Sequence, residues 1–589
     1  MEGGNLMSSY LNELCRFYDR LSASPESGMP PKGMSAEQIS FALVISESGK
    51  LISVRDLRDS KGRAVRLFVP AAVKRSVNVA SNFLWDNTGY VLGIDGKGKP
   101  ERTAQTAEAF KSLHLNLLAS CDDIHARALL AFLDAWRPEH FEELEEKEAL
   151  LDSNVIFMLQ GHDQWLHETE TLKTIWNSSL NSEEEEADKG ICLITGEQGV
   201  IAPTHPSIKG VTGAQSSGAA LISFNCPSFT SYGKEQNANA PVTENAARAY
   251  TSALNYLLQR EHRQTVRIGD TSIVFWADKA NPAENMLANF FDPTSASASA
   301  QDQAQLDRIK GILKELRRGG SLNDADKELA GGARFFVLGL APNAARLSVR
   351  FWLTDTLEVI LKHLSRWYED LSMERQFPDS QPEFPPLWLL LLKTVAAQEK
   401  SENLPPELGG QMAQAFLSGS NLPENAYTAV LQRIHADKNV GYFRASFIKA
   451  YLCRNKHEEK DMTTLNRNED NKGYRLGRLF ALLEKAQKDA LGTVNAPLRE
   501  RYIGAASATP RLVFPMLLRL AQHHVTKAKK SNSASYEAWF NKTMGEIVDS
   551  ITAFPAVLSL EDQGRFMLGY YHQTTAFYMK KTNAAQAEE

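Results

Sequence analysis

A long polar stretch in the first half of the chain, residues 191–277, most constrains the fold. It begins ICLITGEQGVIAPTHPSIKGV, continues through GAQSSGAALISFNCPSFTSYGKEQNANAPV, and ends in TSIVFWA. Short apolar runs at residues 191–195, 220–225 and 272–277 predict strands, and residues 242–259 predict a helix. The Gly-, Ser-, Pro- and Asn-rich sequence between them cannot build its own core. It is therefore either a functional segment or a solvated loop.

Two polar intervals carry side chains that suit nucleic acid. In the long stretch they are Lys209, Gln215, Ser216, Ser217, Lys234, Gln236 and Asn237. Nearer the N-terminus they are Lys74, Arg75, Asn78 and Asn82, which lie beside Phe83, Trp85 and Tyr90. Lysine and arginine hold phosphates, and asparagine makes paired contacts with adenine. Either interval could enter a DNA groove, and solvated surface polarity is the alternative for both.

Composition restricts the class of protein. A length of 589 residues predicts about two to four domains, and 43% hydrophobic residues are ordinary for a globular chain. The net charge of −6 argues against a protein that is basic over its whole surface, although a local basic groove is compatible with it. Five scattered cysteines and the absence of a signal peptide or a long apolar run predict a soluble, cytoplasmic protein.

The pattern along the chain predicts an α+β protein. Strand and helix signals alternate at first, for example in a hairpin over residues 41–54, and residues 345–363 and most of the chain beyond them have a helical pattern. We therefore expect a mixed α/β domain over residues 1–342, a helical region over residues 343–461, and a C-terminal helical bundle over residues 462–589.

The last segment differs in charge from the rest. Residues 462–589 hold 17 Lys and Arg against 12 Asp and Glu. Arg475 and Arg478 are spaced to share one helix face, and Arg501 lies in a second basic cluster. A bundle with a basic face can hold a nucleic-acid backbone, so these arginines are candidate DNA-binding residues. Solubilising surface charge is the alternative.

Sequence signatures of catalysis are weak. The chain has no Walker loop and no HExxH, and the dipeptide His162-Asp163 lacks a second pair that would complete a metal site. Ser216 and Ser217 lie outside a nucleophile-elbow motif, and Cys226 has no adjacent partner residue. We therefore expect no catalytic residue, no metal site and no cofactor.

An ordered set of motifs resembles a known family. The motifs are CLITGE, THPSIKGV, SFNCPSFTSYG and VFWAD, with further similarity in MSSYLNELCRFYDRL, NFLWDNTGYVLGID and FFVLGLAPNAARLSVRFW. Together they resemble the large subunit of the type I-C (Dvulg subtype) CRISPR surveillance complex, Cascade. The resemblance implies a non-catalytic subunit that recognises the protospacer-adjacent motif on double-stranded DNA, promotes R-loop formation and recruits a helicase-nuclease. It implies as partners a guide RNA, Cascade backbone subunits, the target duplex and the displaced single strand.

The resemblance also implies a small subunit translated from within the same gene, with Met462 as its start. Glu458 and Glu459 precede this methionine, and their purine-rich codons would suit a ribosome-binding site. A second class of function stays open beside this one. It is a nucleic-acid-processing hydrolase with Ser216, Ser217 or Cys226 as its nucleophile, within residues 191–240.

Overall fold

A computed structural model describes most of the 589 residues, in two compact units. The described ranges are 9–24, 27–73, 79–186, 189–291, 300–396, 404–457, 462–492, 496–531 and 535–578. The first unit comprises the described parts of Met1–Pro206 and Ser223–Ala253, and the second comprises those of Ser207–Ile222 and Leu254–Glu589. The long polar stretch therefore contributes to both units.

The first unit mixes helices and strands. Its helices are α1 (Tyr10–Ser22), α2 (Thr88–Val91), α3 (Pro100–Leu118), α4 (Ile124–Ala135), α5 (Lys147–Leu150) and α6 (Glu170–Glu186). Its strands are β1 (Met34–Ile39), β2 (Phe41–Ile45), β3 (Leu51–Asp56), β4 (Val65–Pro70), β5 (Trp85–Asn87), β6 (Asn154–Leu159), β7 (Lys189–Ile191) and β8 (Gln198–Val200). Helix α7 (Glu244–Leu257) begins in this unit and ends in the second.

A four-stranded sheet in the order β3-β2-β6-β5 forms the centre of the first unit. Strand β2 is antiparallel to β3 and parallel to β6, and its apolar sequence FALVI is almost wholly buried. The predicted hairpin over residues 41–54 is confirmed. Its turn requires Gly49, which has φ 79° and whose added Cβ would lie 2.3 Å from the backbone of Ala131 and Phe132.

The second unit contains an antiparallel sheet and most of the helices. Its strands are β9 (Thr265–Ile268), β10 (Thr271–Ala277), β11 (Arg334–Asn343) and β12 (Arg346–Thr356). Its first helices are α8 (Ala283–Phe291), α9 (Ala300–Arg317), α10 (Leu322–Ala325), α11 (Leu357–Leu371), α12 (Leu387–Leu392), α13 (Pro406–Ser418), α14 (Glu424–Asp437) and α15 (Tyr442–Asn455). The remaining helices are α16 (Lys472–Leu491), α17 (Leu498–Ala508), α18 (Pro510–Ser531), α19 (Ser535–Val548) and α20 (Leu560–Tyr578).

The fold class is confirmed, but some boundaries differ from the prediction. Residues 345–363 do not all form a helix, because β12 pairs along its length with the buried strand β11 and α11 begins only at Leu357. The expected domain boundary at Pro342 therefore falls inside a hairpin. The helix over 242–259 and the strand over 272–277 are confirmed as α7 and β10. Residues 191–195 and 220–225 are not strands: β7 ends at Ile191, and Ala220 makes only an isolated bridge.

Helix α16 lies at the centre of the C-terminal helices and packs most extensively on α20. Glycines allow the two backbones to approach closely. A Cβ on Gly477 would lie 1.9 Å from the carbonyl oxygen of Phe566, and one on Gly569 would lie 2.1 Å from that of Tyr474. Helices α14 and α15 pack on α20 as well, so one apolar core runs from the middle helices into the bundle. No helix in the described ranges is long and apolar enough to cross a membrane.

Candidate nucleic-acid interface

The N-terminal candidate residues divide into two groups. Lys74, Arg75 and Asn78 lie outside the described residues. Asn82 is described and is only 4% exposed. Its Oδ1 accepts a hydrogen bond from the Val73 backbone N–H at 2.9 Å, and the backbone N–H of Asn82 donates to Asp86 Oδ2 at 3.0 Å. Asn82 is therefore not exposed as a ligand-binding amide was expected to be, because it is buried and its side-chain oxygen binds the backbone of Val73.

The part of the polar stretch in the second unit presents its candidate side chains to solvent. Lys209, Gln215 and Ser216 are exposed. Their loop is held at its base by mutual hydrogen bonds between the backbones of Ile208 and Ala219, both 2.9 Å. The backbone N–H of Lys209 donates to Asn255 Oδ1 on α7 at 2.7 Å. The loop is thus exposed at its polar side chains and anchored through its backbone.

The part in the first unit also exposes two of its candidates, Lys234 and Gln236. One side chain organises the loop around them. Asn239 Nδ2 donates to the carbonyl oxygens of Lys234 and Gln236, at 2.8 and 2.9 Å, and its Oδ1 accepts from the Ser231 N–H at 3.1 Å. The loop is therefore shaped by an internal amide that no sequence pattern distinguishes from the neighbouring asparagines.

Asn237, in contrast, is buried at 4% exposure. Its Nδ2 donates to the Ala202 carbonyl at 2.7 Å and to His205 Nε2 at 2.7 Å. Because Nε2 accepts, the neutral imidazole carries its proton on Nδ1, which lies 2.6 Å from the hydroxyl of Tyr250 on α7. Burial raises the pKa of Tyr250. The prediction of Asn237 as a surface donor is wrong, since its amide ties the polar stretch to the interior.

Arg475 and Arg478 on α16 do not form an exposed basic face. Arg475 donates to the Glu469 carbonyl at 2.6 Å, to the Ile547 carbonyl at 3.3 Å and to Asp470 Oδ1 at 2.7 Å. Arg478 is 1% exposed and donates to Gln573 Oε1 at 3.1 Å and to the Arg467 carbonyl at 3.0 Å. Burial lowers the pKa of Arg478. The predicted placement of both guanidinium groups is wrong, because carbonyl oxygens of the surrounding chain solvate them inside the bundle.

Cations do reach the surface on α17 and α18. Arg501 is exposed, as predicted, and so are Arg511, Arg519 and Lys530. The last three are separated by 8 and 11 residues, which places them within about 100° around α18. The sequence of α18 contains five Lys and Arg and no Asp or Glu. The absence of acidic residues over these 22 positions is a sequence signal for an exposed basic helix. The spacing of Arg475 and Arg478 on α16 did not provide such a signal.

The candidate nucleophiles lie in different settings. Ser216, Ser217 and Cys226 are exposed, and within the described ranges no histidine is hydrogen-bonded to any of them. Cys192 is buried; burial raises its pKa, but hydrogen bonds from Thr243 and Thr195 bring the pKa down to about 7. Among the residues that the structure describes, no three His, Cys, Asp or Glu side chains are grouped to hold a metal ion.

Comparison with protein families identifies the class. The model of a family described as CRISPR-associated protein (Cas_Csd1) matches residues 14–578. The class defined by that match is the CRISPR-associated proteins. Because the match spans nearly the whole sequence, the chain belongs to the Cas_Csd1 family. A search of curated proteins finds no match.

Proposed function

We propose that the chain is the large subunit of a type I-C Cascade complex, in which it recognises the protospacer-adjacent motif on double-stranded DNA and promotes R-loop formation. The family match over residues 14–578 carries this proposal. In such a complex base pairing with the guide RNA reads the long target sequence, while protein reads only a short motif. The subunit has no catalytic role of its own and recruits the helicase-nuclease that cuts the DNA.

The exposed donors of the polar stretch support a role in motif recognition. Lysine ammonium groups such as Lys209 and Lys234 can hold phosphates, and the amides of Gln215 and Gln236 can pair with base edges. Buried Asn82, Asn237 and the interior arginines act instead as structural residues. Lys74, Arg75 and Asn78 remain candidates alongside these exposed donors.

For the displaced single strand we propose the exposed cations of α17 and α18. Arg501, Arg511, Arg519 and Lys530 belong to one unit, and a positive surface of this kind binds single strands with little sequence preference. This assignment replaces Arg475 and Arg478 by neighbours that solvent, and hence a phosphate, can reach.

We also propose that a small subunit begins at Met462. In the full chain Met462 packs partly buried against the core, and Gly564 on α20 is covered by Tyr427 and Ile448 of the middle helices. A free copy would expose that covered surface of α20. Intact-mass analysis of the complex purified with its gene neighbours should find a species that begins at Met462 or Thr463. Synonymous changes in the codons of Glu458 and Glu459 should deplete it, and its persistence would contradict the internal start.

The main function is tested with the full chain expressed with its neighbouring genes. The purified complex should bind target duplex more tightly with the motif than without it, and Lys209→Ala with Gln215→Ala should reduce that preference. The hydrolase alternative predicts magnesium-dependent cleavage by the isolated chain that Ser216→Ala or Cys226→Ser abolishes. Equal binding with and without the motif, or cleavage by the isolated chain, would contradict the proposal.

A further inference from the structure

Tyr232 stands at the tip of a tight turn and is 100% exposed, more than any other large apolar or aromatic side chain that the structure describes. The turn joins Ser231 and Lys234, which form an antiparallel bridge with a 2.9 Å hydrogen bond from the Lys234 N–H to the Ser231 carbonyl. Both central residues have positive φ, 51° at Tyr232 and 71° at Gly233. This is the backbone of a two-residue turn of the primed type.

Such a placement is unfavourable for the isolated chain. A bulky residue seldom adopts a left-handed backbone, and Asn or Gly would fit the first turn position better. Full exposure also leaves the aromatic ring without any burial. Strained positions persist where surrounding structure enforces them, and they concentrate at ligand-binding sites. An exposed, strained tyrosine is therefore informative about binding.

Hydrogen bonds within the surrounding loop support this turn. The three hydrogen bonds of Asn239 fix Ser231, Lys234 and Gln236, which lie before and after the tip. The Cβ position of Gly233 faces open space, so that glycine is required by its backbone angle and not by crowding. The ring of Tyr232 is consequently presented to solvent on a pre-organised support, which lowers the entropy that binding costs.

We propose that Tyr232 stacks on an unpaired base of the DNA that this subunit binds. This inference rests on the proposed function. The residues around the tip favour a nucleic acid over a protein partner. Thr230, Ser231, Lys234, Glu235 and Gln236 are all exposed and polar, whereas the centre of a protein interface is apolar. The Tyr232 ring lies beside the Lys234 cation and the Gln236 amide, with a second exposed ring at Phe229, and such a combination of aromatic faces and a cation binds unstacked bases and adjacent phosphates.

Affinity measurements on the full chain, in the complex that it forms with its neighbours, test this inference. Tyr232→Ala should weaken binding to target DNA by roughly tenfold to a hundredfold, the loss expected for one base–aromatic stack. Tyr232→Trp should bind at least as well as wild type, and Tyr232→Leu should behave as Tyr232→Ala because it offers bulk without an aromatic face. The matched control is Phe377→Ala, which removes another exposed ring, at 57%, and should change nothing.

Photocrosslinking gives the second readout. Iododeoxyuridine, placed in turn at each thymine in and beside the motif, should crosslink to Tyr232 at one position and lose that crosslink in Tyr232→Ala. Asn239→Ala keeps the Tyr232 ring but removes the three side-chain hydrogen bonds that hold the turn. It should reduce both the affinity for DNA and the crosslinking.

Three outcomes separate the inference from the proposed function. If Tyr232→Ala binds as wild type while Lys209→Ala or Lys234→Ala weakens motif binding, the stacking role is wrong and the function stands. If Tyr232→Ala instead loses a protein subunit from the purified complex with DNA binding of the remainder unchanged, the ring contacts protein and the inference is overturned. If the wild-type complex ignores the motif altogether, the proposed function is itself wrong.

Discussion

The polar stretch and helix α16 were both expected to present hydrogen-bond donors to nucleic acid, but the two regions differ in how far their candidate side chains are exposed. In the polar stretch most of the candidates are exposed: Lys209, Gln215, Ser216, Lys234 and Gln236. On α16 both candidates, Arg475 and Arg478, are buried. Polar side chains thus remain exposed in the loop but are buried on the packed helix.

The reason lies in the carbonyl groups that surround α16. The last carbonyls of a helix lack partners within that helix, and Arg475 donates to two of them at the end of α19, those of Glu546 and Ile547. Arg478 donates to the carbonyls of Asn466 and Arg467, which lie in the non-helical segment before α16. The arginines of a helix at the centre of a bundle can thus donate hydrogen bonds to neighbouring backbone carbonyls. The side chains of a polar loop are not surrounded by packed helices in this way, and most of them remain exposed.

The largest expected effect concerns the close approach of α16 and α20. Gly477→Ala would place a methyl group 1.9 Å from a backbone oxygen of α20, so the helices must separate. We expect a loss of at least about 3 kcal/mol in the free energy of unfolding, the upper range for overpacking. Chemical denaturation followed by circular dichroism measures it.

Gly545→Ala on α19 is the matched control. No atom lies within 4 Å of its Cβ position, so the substitution should stabilise the protein by about 0.5–1 kcal/mol through helix propensity. Equal stability of the two variants would show that α16 and α20 do not pack as closely as described.

Arg478 tests the comparison most directly. Arg478→Met should lower the free energy of unfolding by about 2–3 kcal/mol, because it leaves Gln573 Oε1 buried without its donor and removes the hydrogen bonds to the carbonyls of Asn466 and Arg467. Arg501→Met, at an exposed position, should change stability by less than about 0.5 kcal/mol. If Arg478→Met were as stable as wild type but bound DNA poorly, the side chain would be a surface ligand and the contrast with the polar stretch would fail.

These residues also show what could be predicted from sequence. Apolar runs such as FALVI and SIVFWA predicted buried strands, because apolar, β-branched runs of this length are typical of strands inside a sheet. The helix over α7 and the general change from mixed to helical structure were predicted from hydrophobic periodicity in the same way. Strand β12 was missed although its sequence carries a strand signal: apolar Leu347, Val349 and Phe351 alternate with Ser348 and Arg350, and the exposed polar run 354–356 separates them from α11.

The positions of polar side chains were less predictable. Nothing in the local sequence separates Asn237, which is buried against His205, from Asn239, which braces the exposed loop, or Gln236, which reaches solvent. Burial of a polar group depends on partners that are distant in sequence, such as Gln573 for Arg478. The exposed cations of α18 were easier to predict, since the sequence alone shows that this helix has no Asp or Glu.

The bundle interior should also respond to acid. His572 on α20 is buried, its Nδ1 lies 2.9 Å from the Tyr474 hydroxyl, and burial lowers the pKa of its imidazole to about 4. The unfolded chain therefore takes up the proton first, and stability is lost as the pH falls from the unfolded pKa of about 6.5 towards the folded one. We expect about 2 kcal/mol less stability at pH 5 than at pH 7.5 from this residue.

Comparison with His572→Asn isolates that contribution, because Asn retains an acceptor for Tyr474 and does not titrate. Unfolding free energies of both proteins measured from pH 7.5 to pH 5 should converge at the acid end. Parallel curves would mean that His572 is not kept neutral in the folded bundle.

The smallest expected effect concerns the exposed side of the same bundle and is seen in salt dependence. Reversing the charge of Arg511, Arg519 and Lys530 on α18 to Glu should leave stability near that of wild type, because all three are exposed. For each cation that no longer binds a phosphate of the single strand, the slope of log affinity against log salt should fall by about 0.7. Binding of single-stranded DNA measured over a range of salt concentrations gives this slope.

A triple reversal elsewhere in the second unit, at Lys310, Arg318 and Lys362, is the matched control for α18. It changes net charge equally and removes cations already paired with Asp307, Glu315 and Glu358. We expect the slope for single-stranded DNA to fall only in the α18 variant. Equal slopes in the two variants would mean that overall charge, and not the exposed cations of α18, governs binding of the single strand. The bundle would then lack a nucleic-acid-binding surface of the kind proposed for the polar stretch.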